Sequence, residues 1–561
     1  MRRPFPDPPA TLPEALERAA RYFPERGIAV FEGRGKSCVR RTYPEILAAA
    51  RDAAGRWADL GVASGDRILV SLPTSWDFLD AWLGAILRGA LPVGVAPGAA
   101  VGAAAAQVRK VDGLVELLGA KLAVVPEAFR DAARDAGAGR AAAVSITATE
   151  LSARPAASFS APRPEEDETA FLQLTSGSTG LPRAVRIPHR AAIHNPLASD
   201  AAIGVPHGGP THAWADSMVS WLPLHHDMGL VGCLFLSILA GFDLWLLQPA
   251  GFLARPRQWL EQLGRHGAAF APAPNFGYQL CLERLTEKDR EGLDLAAWHD
   301  AMTGAEMIRP ETVAGFCDAF GPCGFRPEAF RPCYGLAEGT LAVTFDVDGR
   351  GVRTRPLPAG AGAGFGLSEV VCVGRPVSDT VVEVTGPAGQ ALPDGEIGEV
   401  RVRGPGVFLG YYDDPEATAE GLVDGWLLTG DLGFMDGGEL YLTGRAKDVL
   451  ILRGHNLMPH EIEWLAESVV GGGGAVRCGA FSVAKSARGE EPVLVVETAE
   501  RDRDKLAEMG HDIRSAVGRN LSLPVADLVF VRRGKIPKTT SGKVRRRALR
   551  DLYLEGRLER L

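Results

Sequence analysis

The sequence predicts an α/β protein with a large N-terminal domain, in which helices surround largely parallel sheets, and a small α+β C-terminal domain. The chain has 561 residues, more than a single hydrophobic core usually serves. Its first 160 residues alternate helix-like and strand-like patterns, which is typical of a parallel sheet covered by helices. Residues 445–561 carry 22 Lys and Arg against 16 Asp and Glu (+6), whereas residues 1–444 carry 39 against 53 (−14). We therefore expect an acidic domain at 1–444 and a basic one at 445–561.

The early segments show this alternation. Tyr43–Leu60 places apolar residues at helical spacing, and Arg67–Leu72 is a short apolar run typical of a buried strand. Ser75 is a favourable N-cap for a helix that continues through Leu87, and Leu91–Val95 predicts another strand. These four segments alternate between helix and strand, as the βα units of a largely parallel sheet do.

The later part of the chain alternates in the same way but with shorter elements. Its predicted strands are Glu396–Val402, Glu439–Thr443, Val493–Thr498 and Leu528–Val531. Its predicted helices are Glu461–Val469 and Lys505–Arg519. After residue 445 these elements predict a compact α+β unit of little over a hundred residues.

The cysteine pattern excludes two kinds of site. The eight cysteines occur singly, with no C-x-x-C pair and no Cys/His cluster. Such spacing disfavours a disulfide framework or a zinc site, so we expect reduced thiols in the core.

Membrane insertion and export are also disfavoured. The strongly apolar uncharged run Met228–Phe242 has 15 residues, whereas a membrane-spanning helix needs about 20. We expect a buried helix there and no membrane span. The first residues lack the apolar segment of a signal peptide, so we expect a cytoplasmic protein.

A basic stretch from Arg532 to Arg550 admits three interpretations. Binding of nucleic acid is disfavoured, because aromatic residues are not interleaved and the whole chain is acidic. A solvated charged face is the plain alternative. The third is electrostatic docking of an acidic carrier protein.

The most informative motif is a loop rich in glycine and hydroxyl groups. It follows the apolar run Ala170–Leu172, which reads as a buried strand, and it is followed by Arg183. Its residues are Thr175, Ser176, Gly177, Ser178, Thr179 and Gly180. Glycines let successive N–H groups converge, hydroxyls add donors, and an arginine adds a cation, all of which suit a polyanion. The pattern G-x-x-x-x-G-K-[ST] is absent, so the loop is not a Walker motif, and a plain surface linker is the alternative.

Several further blocks occur downstream in a fixed order. They are Trp221 to Leu230 (WLPLHHDMGL), Thr303 to Glu306 (TGAE), Tyr334 to Glu338 (YGLAE), Thr429 to Asp431 (TGD), Gly444 to Asp448 (GRAKD) and Pro537 to Lys543 (PKTTSGK). Together with the loop, these blocks resemble the adenylate-forming superfamily of acyl-CoA synthetases, luciferases and nonribosomal adenylation domains. The segment LPLHHDMGL, together with APNFGY at 273–278 and FRPEAF at 325–330, most resembles the corresponding segments of fatty acyl-AMP ligases.

The resemblance implies a binding site for ATP. The loop and Arg183 would hold the β- and γ-phosphates, although the family usually has Lys-Gly where this chain has Arg183-Ala184. Tyr334 would stack on adenine beside Gly335, with Gly304, Ala305 and Glu306 along the base. Asp431 and Arg445 would bind the ribose hydroxyls. Glu338 would ligate Mg²⁺, since a carboxylate oxygen suits that ion.

The resemblance also implies an acyl site and a moving catalytic group. The acyl site would comprise Trp221, His225, Asp227, Met228, Phe276 and Met302, with His226 counted among the catalytic residues. A zinc site at the two histidines and Asp227 is disfavoured, because no further ligand set has suitable spacing. Only ten lysines occur. Of these, Lys543 would bridge carboxylate and α-phosphate, and Lys447 would be the hinge of a mobile C-terminal domain.

The expected activity is ATP-dependent joining of a fatty or other carboxylic acid to AMP. The resemblance to fatty acyl-AMP ligases implies transfer to the phosphopantetheine thiol of an acyl carrier protein. It also implies an insertion in the large domain that restrains domain rotation. This insertion would lie at 346–365. The alternatives are an acyl-CoA ligase that uses free coenzyme A, a standalone amino or aryl acid adenylation enzyme, and a non-catalytic nucleotide-binding protein.

Overall fold

The structure is a computed structural model with one chain. It describes residues 5, 7–32, 37–98, 104–135, 139–175, 182–203, 217–347, 349–357, 369–452, 455–469, 477–486, 489–521, 523–538 and 543–561. Most of the predicted phosphate loop, 176–180, lies outside the described residues, as do 348 and 358–365 of the expected insertion.

Two largely parallel sheets form the base of the N-terminal part. The first is six-stranded, and its strands lie in the order Ser145–Thr147, Leu122–Val125, Arg67–Val70, Leu91–Gly94, Thr169–Leu174 and Ala184–Pro188. The second is four-stranded, in the order Ser37–Thr42, Gly27–Glu32, Asp243–Leu246 and Ser217–Ser220. One edge pair of each sheet is antiparallel and the other pairs are parallel. The predicted βα alternation is therefore confirmed.

Mixed and antiparallel sheets carry most of the later site residues. A five-stranded sheet has the order Ala273–Pro274, Ala301–Gly304, Phe330–Gly335, Ala342–Phe345 and Arg375–Pro376. An antiparallel sheet has the order Val381–Thr385, Gly398–Arg403, Trp426–Asp436 and Leu422–Val423, with Glu439–Arg445 paired to Trp426–Asp436. Two short hairpins are Thr354–Pro356 with Glu369–Val371 and Leu450–Leu452 with His455–Leu457.

The C-terminal part has its own small sheet. Strand Gly489–Thr498 lies between Arg477–Ser486, to which it is antiparallel, and Asp527–Arg532, to which it is parallel. Helices Pro459–Val469, Arg503–Leu521 and Arg546–Leu554 accompany this sheet. The buried apolar clusters described after Leu450 share no member with the large cluster that ends at Leu440. This arrangement is the small α+β unit that the sequence predicts.

The other described helices belong to the N-terminal part. The α-helices are Leu12–Tyr22, Tyr43–Asp59, Trp76–Leu87, Ala104–Leu118, Glu127–Asp135, Gly139–Val144, Ala148–Ser152, His189–Ile203, Asp227–Gly229, Leu236–Ala240, Pro249–Ala254, Arg257–Arg265, Asn275–Arg284, Glu287–Arg290, Pro310–Phe320 and Pro415–Gly421. Short 3₁₀ turns are Gly321–Cys323, Pro327–Ala329, Ala337–Gly339 and Ala446–Asp448. Ser75 caps its helix as predicted, accepting a hydrogen bond from the Phe78 N–H at 3.2 Å.

The predicted buried helix at 228–242 is present but is not uniform. Its middle turn, Leu230–Phe235, is a π-helix between the α-helical turns Asp227–Gly229 and Leu236–Ala240. Such turns are often found at functional sites. None of the helices in the described ranges combines the length and apolarity that crossing a membrane requires.

Candidate active site

A cavity of about 1440 Å³ lies between the N- and C-terminal parts. Many of the predicted site residues line it: Thr175, Arg183, Trp221, His226, Asp227, Met228, Phe276, Met302, Ala305, Tyr334, Gly335, Glu338, Arg445, Lys447 and Lys543. A neighbouring cavity of about 970 Å³ shares Tyr334, Arg445 and Lys543 and adds Glu306 and Asp431. The fold thus gathers residues from along most of the chain around two adjoining cavities that share part of their walls.

One end of this combined space has a preformed set of hydrogen bonds suited to a nucleoside. The Tyr334 hydroxyl donates to one carboxylate oxygen of Asp431 at 2.6 Å, and Arg445 Nε donates to the other at 2.8 Å. Asp431 is buried, and its charge raises the pKa of Arg445 above its ordinary value. A carboxylate held from two sides in this way offers fixed acceptor positions for hydroxyl groups.

The backbone beside Tyr334 explains the glycine of the TGAE block. A Cβ added to Gly304 would lie 2.5 Å from the Cys333 carbonyl oxygen, so only glycine fits between these adjacent strands. Ala305 then adopts a φ of 67°, in the left-handed region that non-glycine residues rarely occupy. Strained backbone of this kind is concentrated at functional sites.

A second set of contacts surrounds the ends of the phosphate loop. The Thr175 N–H donates to the Arg183 carbonyl at 2.9 Å, which closes the loop as a hairpin. The Arg183 guanidinium lies 5.2 Å from the centre of the Tyr411 ring and 3.4 Å from an Asp414 carboxylate oxygen. The Tyr411 hydroxyl donates to Glu338 Oε1 at 2.8 Å. Arg183 and Glu338 are therefore close together through Tyr411.

The surroundings of Glu338 fit a magnesium ion shared with phosphates. Mg²⁺ usually takes one or two protein carboxylates and completes its shell with phosphate oxygens and water. The Tyr411 hydroxyl donates to one oxygen of Glu338, and no other described residue donates a hydrogen bond to the second oxygen. Within the described ranges, no group of three or more metal-binding side chains occurs, so a site made of protein ligands alone is not indicated.

The opposite end of the cavity is apolar and aromatic. The Trp221 ring stacks on Phe252 with 3.9 Å between centroids and meets Phe276 edge-on at 5.5 Å. The π-helical turn contributes Gly232 to the lining, opposite Leu341. This composition suits an alkyl or aryl chain.

The two histidines at the junction of these ends are neutral. Burial, reinforced by nearby Lys543 and Lys110, lowers the pKa of His226 to about 4. Burial also lowers the pKa of His225 well below its ordinary value. His225 is not among the residues lining either cavity, and its carbonyl accepts a hydrogen bond from Gln173 at 3.0 Å. His226 faces the cavity, and His225 supports the wall.

Lys543 lies where the apolar end of the cavity meets the end that holds Tyr334 and Asp431. Burial and the neighbouring Arg445 lower the pKa of its ammonium group, whereas Asp227, Asp431 and Glu306 act to raise it. Asp227 lies towards the apolar end, and Asp431 lies at the Tyr334 end. The amine therefore lies within electrostatic reach of both.

Sequence reasoning missed several residues of this region. Tyr411 and Asp414, which contact Arg183, lie in no motif that the sequence analysis used. Lys110 was detectable only as one of the ten lysines, yet its charge acts on both histidines. Gly232 was hidden inside an apolar run, where nothing in the pattern marks a cavity wall.

Comparisons with known proteins agree with this geometry. The sequence profile of the family described as AMP-binding enzyme matches residues 16–412. A putative acyl-CoA synthetase of Caulobacter vibrioides is 32% identical over 97% of this chain and 96% of its own. The medium-chain-fatty-acid–[acyl-carrier-protein] ligase JamA of Moorena producens is 36% identical over 70% of this chain and 69% of its own. A solved structure from work on fatty acyl-adenylate ligases of E. coli and L. pneumophila covers 99% of both chains, with a TM-score of 0.89 and 29% identity.

Proposed function

This chain belongs to the AMP-binding enzyme family, and from that premise we propose that it is a fatty acyl-AMP ligase that delivers its product to a carrier protein. As a family member it is an ATP-dependent acid ligase that forms an adenylate. The observation that carries the proposal is the position of Lys543 between an apolar pocket and a nucleoside site.

In the first step, an oxygen of the fatty acid carboxylate bonds to the α-phosphorus of ATP. The bond from that phosphorus to the oxygen bridging to the β-phosphate breaks, and pyrophosphate leaves. Two anions must meet for this to happen, so the site must neutralise charge while it aligns them. The Lys543 ammonium does this, and the neutral His226 adds no competing positive charge for the carboxylate.

The nucleotide-binding residues hold ATP for this attack. Tyr334 stacks on adenine, and Asp431 with Arg445 binds the ribose. Arg183 and the loop that begins at Thr175 hold the outer phosphates. Glu338 would hold Mg²⁺, which neutralises phosphate charge when bound.

The apolar end of the cavity favours a fatty acid. Trp221, Phe276, Met228 and Met302 line it together with Gly232. We therefore favour an alkyl acid over an amino acid.

In the second step, the phosphopantetheine thiolate of an acyl carrier protein attacks the acyl carbonyl carbon and AMP leaves. The resemblance links a carrier as acceptor to an insertion that restrains domain rotation. The described ends of the expected insertion support this, because ion pairs hold them to the large domain. Arg353 donates to Glu439 at 2.6 and 2.8 Å and to Asp346 at 3.3 Å. Arg545, Arg547 and Arg550 line the cavity, and none of them forms an ion pair with another described residue, which suits an acidic partner. JamA, named for carrier-protein ligation, adds support by similarity.

The proposal includes a domain boundary and a hinge. We place the large domain at 1–444 and the small mobile domain at 445–561, since the apolar clusters on either side are separate. Lys447 would be the hinge, in the exposed 3₁₀ turn Ala446–Asp448.

One experiment tests the proposal. The enzyme is incubated with ATP, Mg²⁺ and a panel of fatty, aryl and amino acids, with either coenzyme A or a phosphopantetheinylated carrier, and the products are identified by mass spectrometry. We expect acyl-AMP from fatty acids without any acceptor, and a thioester on the carrier but not on coenzyme A. Efficient coenzyme A thioester formation would favour the acyl-CoA ligase alternative, and turnover of amino acids alone would contradict the proposal.

A further inference from the structure

A contact between the two parts of the chain lies in the wall of the second cavity, which is also lined by Lys543. Arg309 immediately precedes helix Pro310–Phe320 of the N-terminal part. Its Nη2 donates to Glu467 Oε2 at 2.6 Å, and its guanidinium lies 4.7 Å from the centre of the Trp464 ring. The side chains of Arg309 and Glu467 are only 25% and 21% exposed. Partial burial makes such a pair stronger than an ordinary surface salt bridge.

The N-terminal side of this contact is attached to the wall of the active site. The Arg309 N–H donates to Asn275 Oδ1 at 3.1 Å. The next residue, Phe276, lines the acyl end, and its N–H donates to Glu306 at 2.6 Å. Arg309 therefore cannot move far without disturbing the pocket wall.

The C-terminal side of the contact leads to Lys543. Glu467 lies one helical turn after Glu463, on the same face of helix Pro459–Val469. Glu463 accepts two hydrogen bonds from Arg546, at 2.9 and 2.7 Å. Arg546 lies three residues after Lys543 in the chain. The helix that Arg309 contacts thus also fixes the segment that presents the catalytic amine.

This connection is stiff within the C-terminal part. Glu463 also accepts a hydrogen bond from the Ala480 N–H at 2.9 Å, and Glu467 accepts one from the Cys478 N–H at 3.0 Å. Both carboxylates are therefore tied to strand Arg477–Ser486. A displacement of Glu467 would therefore displace helix Pro459–Val469 and strand Arg477–Ser486 together.

We propose that Arg309 is a positioning residue. Through its hydrogen bond to Glu467 and its contact with the Trp464 ring, it holds Lys543 in the site during adenylation. The proposal rests on the proposed function, in which the small domain turns between the two half-reactions. When it turns, Arg309 and Glu467 separate, so their contact favours the first half-reaction only. The pair is strong enough to bias the orientation and weak enough to open.

The chain contains a matched control for this triad. Arg401 donates to Glu383 at 2.6 Å and lies 4.4 Å from the centre of the Trp426 ring. The side chains of Arg401 and Glu383 are 21% and 34% exposed. All three residues lie on neighbouring strands of the N-terminal part, so this triad has the same chemistry but joins nothing across the cavity.

The test compares Arg309→Ala, Glu467→Ala, the double variant and Arg401→Ala. We expect Arg309→Ala and Glu467→Ala each to slow acyl-AMP formation about tenfold, the loss expected when a partly buried charged hydrogen bond is removed. The double variant should be no slower than the slower single variant, because both remove one interaction. Transfer from synthetic acyl-AMP to the acceptor should stay within about twofold of wild type, and Arg401→Ala should leave both half-reactions intact.

Several outcomes would overturn this role. Equal losses in both half-reactions, or additive losses in the double variant, would indicate general destabilisation instead. Unchanged adenylation in Arg309→Ala would remove the role altogether. If Arg309→Ala does not fold, Glu467→Gln serves in its place, since it keeps an acceptor for Cys478 but loses the charge.

A readout without activity separates this proposal from the proposed function. In protein labelled with 5-fluorotryptophan, the ¹⁹F signal of Trp464, assigned with Trp464→Phe, should shift in Arg309→Ala and not in Arg401→Ala. An unmoved signal would contradict the contact even in an active enzyme. If wild type forms no acyl-AMP from any acid while the signal shifts, the proposed function fails and the contact stands.

Discussion

The two sides of the active-site cavity are built in different ways. Residues before 445 are fixed by hydrogen bonds within their own part, as in Tyr334 with Asp431 and Phe276 with Glu306. The side after 445 contributes Lys543, whose position in our proposal depends on helix Pro459–Val469 and on the Arg309–Glu467 contact. Under that proposal the first side is preorganised for both half-reactions, whereas the second is in place for one and withdrawn for the other. Substitutions on the two sides should therefore separate the half-reactions.

The largest expected effect is that of Lys543→Ala. At about 4 Å and an effective dielectric near 20, one such charge contact is worth about 4 kcal/mol, or roughly a thousandfold in rate. Pyrophosphate release with ATP and fatty acid should fall by that factor. Lys535→Ala, which removes a surface ion pair with Glu559, is the control and should change little. Near wild-type release by Lys543→Ala would refute the catalytic role.

A change on the fixed side should have a smaller but broader effect. Asp431→Ala leaves the Tyr334 hydroxyl and Arg445 without their shared acceptor and removes the proposed ribose contact. We expect ATP to bind about 10- to 100-fold more weakly, as measured by calorimetry. Asp436→Ala, on the same strand but paired with Arg355 at the surface, is the control. Unaltered ATP affinity in Asp431→Ala would place the ribose elsewhere.

These predictions depend on sequence motifs, which identify features that are encoded by residues adjacent in the chain. The sequence correctly predicted the α/β architecture. Tyr334, Glu338 and Lys543 line one cavity, and their roles stay predictions from the resemblance. The π-helical turn could not be predicted, because apolar spacing does not distinguish i→i+4 from i→i+5 hydrogen bonds. The contact of Arg309 with Trp464 depends on how two separately folded parts meet, which no local pattern encodes.

A substitution in the π-helical turn should have a moderate effect, confined to binding of the acyl chain. A Cβ at Gly232 would lie 2.8 Å from Leu341 Cδ2, so a larger side chain there would displace Leu341 or fill the cavity. Gly232→Leu should lower kcat/KM for long fatty acids about tenfold and spare short ones. Gly518→Leu, in a helix with open space around that glycine, is the control. Equal losses for short and long acids would show that Gly232 does not limit chain length.

The smallest effect concerns stability and not catalysis. The buried His189 accepts a hydrogen bond from the Leu12 N–H at 3.2 Å, and burial lowers its pKa to about 4. The folded protein therefore leaves this ring neutral, whereas the unfolded chain protonates it below about pH 6.5. This contribution to the free energy of unfolding is full above pH 6.5 and is lost as pH falls towards 4.

His189→Asn keeps an acceptor for Leu12 but removes the titrating ring. Urea unfolding between pH 7 and pH 4.5 should show a shallower loss of stability in this variant than in wild type. His511→Asn, at an exposed position, is the control. Identical pH profiles for wild type and His189→Asn would contradict the prediction, and adenylation at pH 7.5 should be unchanged in both variants.

The central claim is that Lys543 serves adenylation alone, whereas Asp431 serves both half-reactions. The most direct measurement supplies Lys543→Ala and Asp431→Ala with synthetic fatty acyl-AMP and a phosphopantetheinylated carrier, and follows the single-turnover rate of thioester formation. We predict that Lys543→Ala transfers the acyl group at the wild-type rate and that Asp431→Ala is impaired. Equal impairment of the two variants would contradict the account.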